Sequence, residues 1–264
     1  MCRWLAYAGS DVYLERLIFD PSNSLARQSL AAQHSNWPTN GDGFGLGWYG
    51  SREEPGLFRD VLPAWNDSNL RNVSAQIQSR LFFAHVRAST GASTSRTNCH
   101  PFRYGKWLFM HNGQIGGFEL VRRSLMLAVE PTLFKHIQGS TDSELFFYLL
   151  LTNGAEQNPL AAFTKTVSQV VGAMRATGTT EPFRMSAALT DGNDIFVVRF
   201  ASDDNAPSLF AGRADALVEA DGLLVASEPM GTEVGPWTPI PQRQWLHVSA
   251  GQLKQGSFEF EAGT

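Results

Sequence analysis

Hydrophobic and polar positions alternate along this chain in two periods, and the order in which the periods appear predicts the architecture. The opening stretch "MCRWLAYAGS" reads as a short buried strand at the terminus. Behind it, "PSNSLARQSLAAQ" offers Ser22 or Ser24 as a cap ahead of a helical pattern, predicting a short helix. "WPTNGDGFGLGWYG" then packs five glycines and a proline into residues 37–50, as a turn running into a strand does. A long polar connection through "REEPG" and "PAWNDSNL" follows.

Two strongly apolar runs come next. In "RLFFAHVRAST" Phe82, Ala84 and Val86 share one face of a strand while His85 and Arg87 share the other. "KWLFMHNGQIGG" repeats the form, an apolar strand that ends in Asn112-Gly113 and breaks into glycines. Both strands therefore deliver polar groups at their carboxyl ends. Helical spacing takes over at Phe118, Val121 and Leu125, continues in "STDSELFFYLLL" behind a Ser/Thr cap, and makes an amphipathic stripe of Leu160, Phe163, Val167, Val170 and Met174. From residue 183 the period returns to two. "RMSAALTDGNDIFVVRF" reads as a hairpin around Asp-Gly-Asn-Asp, and "SLFAGR", "GLLVASEP" and "WLHVSAG" read as further strands. Strands, then helices, then strands predict an α+β protein with antiparallel sheets and segregated helices rather than alternating βαβ units. No repeat, low-complexity tract or linker divides the chain, so residues 1–264 are expected to form a single domain.

Composition narrows the partners. Of 264 residues, 43% are hydrophobic and 17% charged, as in a packed protein rather than a disordered one. The formal charge of −4, with no basic run, argues against a nucleic-acid or anionic-membrane surface and for a small-molecule partner. Two cysteines, Cys2 and Cys99, are too few for a disulfide framework or a structural zinc site, which fits a reducing compartment. The longest apolar run, residues 145–151, is far too short to span a bilayer, and the first residues lack a leader pattern, so a cytoplasmic location is expected.

Four places could carry chemistry. Cys2 is either a small packing residue or a nucleophile; if Met1 is removed, the thiol sits beside a free α-amine of pKa about 7.7–8.0, a built-in base. Asn112-Gly113 is either a turn or a pair of donors, side-chain amide and backbone N–H, for the oxyanion of an acyl-transfer intermediate. Arg87 on a strand's polar face suits a carboxylate bidentately, in an internal salt bridge or on a substrate, and Thr90 could add a hydroxyl. Asp142 is either a helix cap or the acceptor for a substrate ammonium, while Glu144 belongs to the helix's first turn. His85, His111 and Cys99-His100 have no metal-ligand spacing, so no metal is expected; the first two read as polar members of core strands and His100, before Pro101, as a loop residue.

Taken in order, Cys2, "NGDGFG", "FAHVRAST", "TNCHPF", "FMHNGQI", "GSTDSE" and "LVASEP" resemble the glutaminase domain of class II glutamine amidotransferases, which are N-terminal nucleophile hydrolases. Within that family the chain is most similar to stand-alone members of the type that includes the ergothioneine-pathway γ-glutamyl amidohydrolase and the fungal glutathione-degrading amidotransferase. The resemblance implies a four-layer αββα sandwich with the amino terminus between two antiparallel sheets. It implies that Cys2 is the nucleophile with its own α-amine as base, that Asn112 and Gly113 form the oxyanion hole, that Arg87 binds the α-carboxylate of a γ-glutamyl group, and that Asp142 binds its α-ammonium. No cofactor is implied. The activity expected is hydrolysis of glutamine or another γ-glutamyl compound through a Cys2 thioester. The alternatives are a glutaminase subunit serving a separate synthase or peptidase partner, and a non-catalytic γ-glutamyl-binding protein.

Overall fold

In chain order the structure, a computed structural model that describes residues 2–34, 39–89, 93–231 and 237–260, runs β1 (Arg3–Tyr13), α1 (Glu15–Ile18), α2 (Leu25–Leu30), β2 (Phe44–Trp48), β3 (Gly56–Asp60), α3 (Ser68–Ser74), β4 (Gln78–Val86), β5 (Phe102–Tyr104) and β6 (Trp107–Gln114). It continues through α4 (Phe118–Leu127), α5 (Pro131–Phe134), α6 (Asp142–Thr152), α7 (Pro159–Ala176), β7 (Arg184–Thr190), β8 (Ile195–Ala201), β9 (Phe210–Arg213), β10 (Gly222–Ala226), β11 (Trp237–Pro239), β12 (Gln244–Ser249) and β13 (Gln252–Ser257). The described strands form a seven-stranded sheet in the order β11-β9-β10-β1-β4-β2-β3 and a six-stranded sheet in the order β13-β12-β8-β7-β6-β5. Every pairing is antiparallel.

Period-two alternation sends each strand's side chains into two different layers. From β1, Trp4 and Ala6 join Phe83, Leu108, Met110, Val197 and Leu246 between the sheets. Leu5 and Tyr7 on the opposite face join Phe82, Ala84 and Val86 in packing against Leu17, Leu25 and Leu70 of the first three helices. On the far side of the second sheet, Phe109, Ala187, Leu189 and Val198 meet the apolar faces of α4, α6 and α7. The outcome is a four-layer αββα sandwich. α6 is buried at every position from Ser143 to Leu151, which explains a sequence apolar all round: it lies between the second sheet and α4, α5 and α7. None of the described helices is long and apolar enough to cross a membrane.

The predicted helices and the hairpin at 191–194 fall where the pattern placed them, and Ser24 is the cap of α2, its hydroxyl accepting from Arg27 N at 3.4 Å. The polar connection is more ordered than its composition suggests. It contains edge strand β3, a short 3-10 turn at Ala64–Asn66, and α3, whose cap Asp67 accepts from Leu70 N at 2.6 Å. α3 buries only Leu70 and Ser74, too little for a periodic signal.

Phe146 is at the centre of the helix-side core, its ring within 5.8–6.4 Å of Phe109, His111, Phe163 and Phe183. Phe146→Ala is expected to lower the unfolding free energy by about 3–5 kcal/mol, read from urea denaturation.

Candidate active site

The site begins at the end of β1. Antiparallel pairing sets Arg3 opposite Val86, so the residue before β1 meets the residues just past β4. Cys2 Sγ accordingly donates to the carbonyl of Ala88 at 3.6 Å. What fixes Cys2 from the other side is Arg3. Its guanidinium is fully buried, pairs through Nε with Glu228 Oε1 at 2.5 Å, and donates through Nη1 to the Cys2 carbonyl at 2.9 Å and through Nη2 to the His34 carbonyl at 2.6 Å. Glu228 also accepts from His34 N at 2.8 Å and Gln33 N at 3.0 Å. A buried pair is tolerated only when its remaining donors and lone pairs are satisfied in this way.

Arg87, nearly fully buried, is held by the glycine-rich turn before β2. Gly43 O accepts from Arg87 N at 2.8 Å, Asp42 N donates to Arg87 O at 3.0 Å, and Asp42 O accepts from Nη1 at 3.3 Å. Asp42 Oδ2 takes Ser89 N at 2.8 Å, and the Ser89 hydroxyl accepts from Arg87 Nη2 at 3.1 Å. Gly43 has φ +120° and space for no side chain, since a Cβ would lie 2.7 Å from both Asp60 O and Cys99 Sγ. Thr90 lies outside the described residues.

β6 and α6 build the opposing wall. Gly113, with φ +152°, leaves no room for a Cβ against His111 Nε2 and the Arg184 carbonyl. Asn112 beside it is fully buried, and neither its Nδ2 nor its Oδ1 has a hydrogen-bond partner among the described residues. A buried amide left unpaired is costly, and the cost is relieved when a guest atom takes the bond. Asp142 is the first residue of α6, whose cap is Thr141, accepting from Glu144 N at 3.2 Å. The Asp142 carboxylate is therefore not the cap. It accepts from Ile115 N at 2.8 Å and from Ser143 N at 2.7 Å, which ties α6 to the segment just beyond Gly113. Glu144 is in the first turn as expected, but it is buried and accepts from Gln138 N and Gly139 N at 2.9 and 2.6 Å.

Cys2, Arg87, Gly113 and Asp142 line one cavity of about 800 Å³, with His100 and His111 in the same wall. Burial pushes the Cys2 thiol up, opposed by the Ala88 hydrogen bond and by the charges of Arg87 and Arg3. The histidines are buried and neutral. His85 stacks on His100 with ring centroids 4.2 Å apart, and desolvation lowers His85 to about 3 and His100 well below its ordinary value. Burial also lowers His111, against the pull of the Asp142 charge, and its Nδ1 lies 2.9 Å from the Ser143 hydroxyl. Among the described residues no group of three or more His, Cys, Asp or Glu could hold a metal ion. Reading by residue type missed Arg3, Asp42 and Glu228. The available signals were an arginine directly after Cys2, the acid within "NGDG" and the acid within "LVASEP".

A family model described as glutamine amidotransferases class-II matches residues 15–206, a span that includes Arg87, Asn112, Gly113 and Asp142 and starts after Cys2. The Saccharomyces cerevisiae protein named probable glutamine amidotransferase DUG3 is 34% identical over 94% of this chain and 82% of its own. A γ-glutamyl-hercynylcysteine sulfoxide hydrolase from Mycolicibacterium smegmatis is 27% identical over 94% of this chain and 96% of its own. Among solved structures, a glutamine aminotransferase class-II domain protein from Silicibacter pomeroyi superposes with a TM-score of 0.76 at 35% identity, covering 97% of this chain and 99% of that one.

Two outcomes follow from the buried charges and rings. Glu228→Gln keeps the shape but strands Arg3 as an uncompensated buried cation, so unfolding free energy should fall by about 3–5 kcal/mol in a denaturant titration. The histidine effect depends on pH. A ring whose folded pKa is depressed contributes stability that is complete above the unfolded value near 6.5 and is lost as pH falls, because the unfolded chain takes the proton first. From pH 6.5 down toward 3 for His85, stability should drop by about 1.4 kcal/mol per pH unit for each such ring, and His100→Phe should flatten the slope measured by urea midpoints.

Proposed function

The chain belongs to the class II glutamine amidotransferases, and from that premise we propose that it hydrolyses γ-glutamyl amides at the cavity that contains Cys2. The observation that carries the reading is that a thiol, a guanidinium, a carboxylate and a strand-end glycine, namely Cys2, Arg87, Asp142 and Gly113, line one space. A glutamyl head is a zwitterion, so it needs one fixed cation and one fixed anion. Arg87 takes the α-carboxylate and Asp142 the α-ammonium. Thr90, three positions after Arg87 in the sequence, is the candidate for an additional hydroxyl to the substrate.

The thiol, held protonated by burial, needs a base, and removal of Met1 supplies one as the α-amine of Cys2 itself. That amine takes the thiol proton as Sγ attacks the γ-carbonyl carbon. The tetrahedral oxyanion is met by the Asn112 side-chain amide, which has no other partner among the described residues, and by the Gly113 N–H. The C–N bond breaks as the ammonium returns its proton to the leaving nitrogen, so ammonia or an amine departs and a γ-glutamyl thioester remains. Water, deprotonated by the same amine, attacks the thioester, glutamate leaves and the thiol is restored. Arg3 and Glu228 act as positioning residues, holding the Cys2 carbonyl while the reacting groups change. The substrate class is small γ-glutamyl compounds, in line with the named activity of the mycobacterial relative.

The test is glutamate release from glutamine and a panel of γ-glutamyl amides, with Cys2→Ala as control. Turnover should disappear in Cys2→Ala while the fold is retained. A glutamine-analogue electrophile such as diazo-oxo-norleucine should add one equivalent of mass to a chain that lacks Met1. Glutamate release persisting in Cys2→Ala would falsify the assignment.

A further inference from the structure

The cavity is larger than a glutamyl head requires. About 300–1,000 Å³ is the size of pockets that enclose drug-sized ligands, and this one, at about 800 Å³, continues past Gly113 to the first two turns of α4, where Phe118 and Arg122 line it. Arg122 is half-buried and stands 6.0 Å from the centroid of the Phe118 ring. It makes no ion pair or hydrogen bond among the described residues. Its charged neighbours in the wall are accounted for. Arg184 is neutralised by Asp203, with Nη2 to Oδ2 at 2.5 Å, and Glu181 accepts from Gly117 N at 3.0 Å. Glu119 is exposed in the first turn of α4, where it complements the helix dipole. Arg87 and Asp142 already match both charges of a glutamyl head, so the second guanidinium has no counterpart on that part of a substrate.

We infer that Arg122, backed by the Phe118 ring, is a carboxylate-binding subsite for the leaving group, so that this enzyme's substrates are γ-glutamyl conjugates of amino acids or peptides rather than glutamine alone. The inference rests on the γ-glutamyl hydrolase reading above. A planar guanidinium with one face on an aromatic ring keeps its fork of donors for a planar anion, and the carboxylate of an amino-acid or peptide leaving group is one. Ammonia, the leaving group from glutamine, would reach neither residue.

The decisive comparison is γ-glutamylglycine against γ-glutamylmethylamide, which share the scissile bond and differ in the carboxylate. For the wild-type chain kcat/KM should favour γ-glutamylglycine by about tenfold, the scale of one charge-assisted hydrogen bond, chiefly through KM. In Arg122→Gln the ratio should fall toward one, and Arg122→Lys should restore part of it. A wild-type ratio near one, or a ratio that Arg122→Gln leaves unaltered, overturns the inference while the hydrolase reading stands. If neither compound nor glutamine yields glutamate, that reading fails instead. Calorimetric binding to the Cys2→Ala chain then decides the subsite without turnover: equal dissociation constants for the two compounds sink it, and tighter binding of γ-glutamylglycine that is lost in Cys2→Ala/Arg122→Gln upholds it.

Discussion

The ion pair between Arg3 and Glu228 determines where the chain's first residues lie. Strand β1 runs through the centre of its sheet, between β10 and β4, and its partners register it from Arg3 onward. Registration alone would leave Cys2 as the frayed end of a strand, since termini are ordered only where something ties them down. Arg3 provides the tie by donating to the Cys2 carbonyl from a guanidinium that Glu228 holds at full burial. The same acid takes the backbone N–H groups of Gln33 and His34, so the segment after α2 is bound into one arrangement with the terminus. Removing two charges from water is expensive, and the pair adds little net stability relative to apolar residues. What it contributes is position.

The residues in and beside the cavity divide into groups that are already satisfied and groups that are not. Arg87 and Asp142 each have backbone partners that fix their orientation, Asp42 and Gly43 for the first and Ile115 and Ser143 for the second. Such anchoring lets a charged group meet a ligand without reorganising. Asn112 is the opposite case, fully buried with both side-chain polar atoms unpaired among the described residues. An unpaired amide in a protein interior carries the full cost of its desolvation until a partner takes the bond. The stacked His85 and His100 extend this pattern into the cavity wall, as neutral rings with buried nitrogens.

Periodicity carried most of the fold. Long buried elements such as β4, β6, α6 and α7 announce themselves because a single face, or every face, must be apolar, and Asn112-Gly113, Arg87 and Asp142 stand out as candidates because polar groups at the ends of apolar elements need a reason. Edge strands β3 and β13 and the short helices α1, α3 and α5 bury too few residues to leave a pattern. Arg3 was illegible for a different reason. Its partner lies 225 positions away, and nothing local in either residue marks a buried ion pair. Asp142 illustrates the limit at closer range: the sequence marks the helix start, but Thr141 and Asp142 are both good cap residues, and it is the three-dimensional fold that turns the Asp142 carboxylate toward Ile115 and leaves the cap to Thr141.

Cys2 and Arg87 come from one sheet, Gly113 and Asp142 from the other sheet and the helix packed on it. The cavity is thus a seam, lined from both halves. Its shape depends on the apolar layer between the sheets, which includes Trp4, whose indole Nε1 donates to the Ser186 carbonyl across that layer. A change in how the sheets slide or tilt on each other alters the distance from the Cys2 thiol to Gly113 and Asp142 without touching any of them. Sheet-to-sheet packing is therefore the coordinate along which this scaffold can be tuned, and interior residues such as Trp4 and Ser186 set how far apart the two walls of the cavity stand.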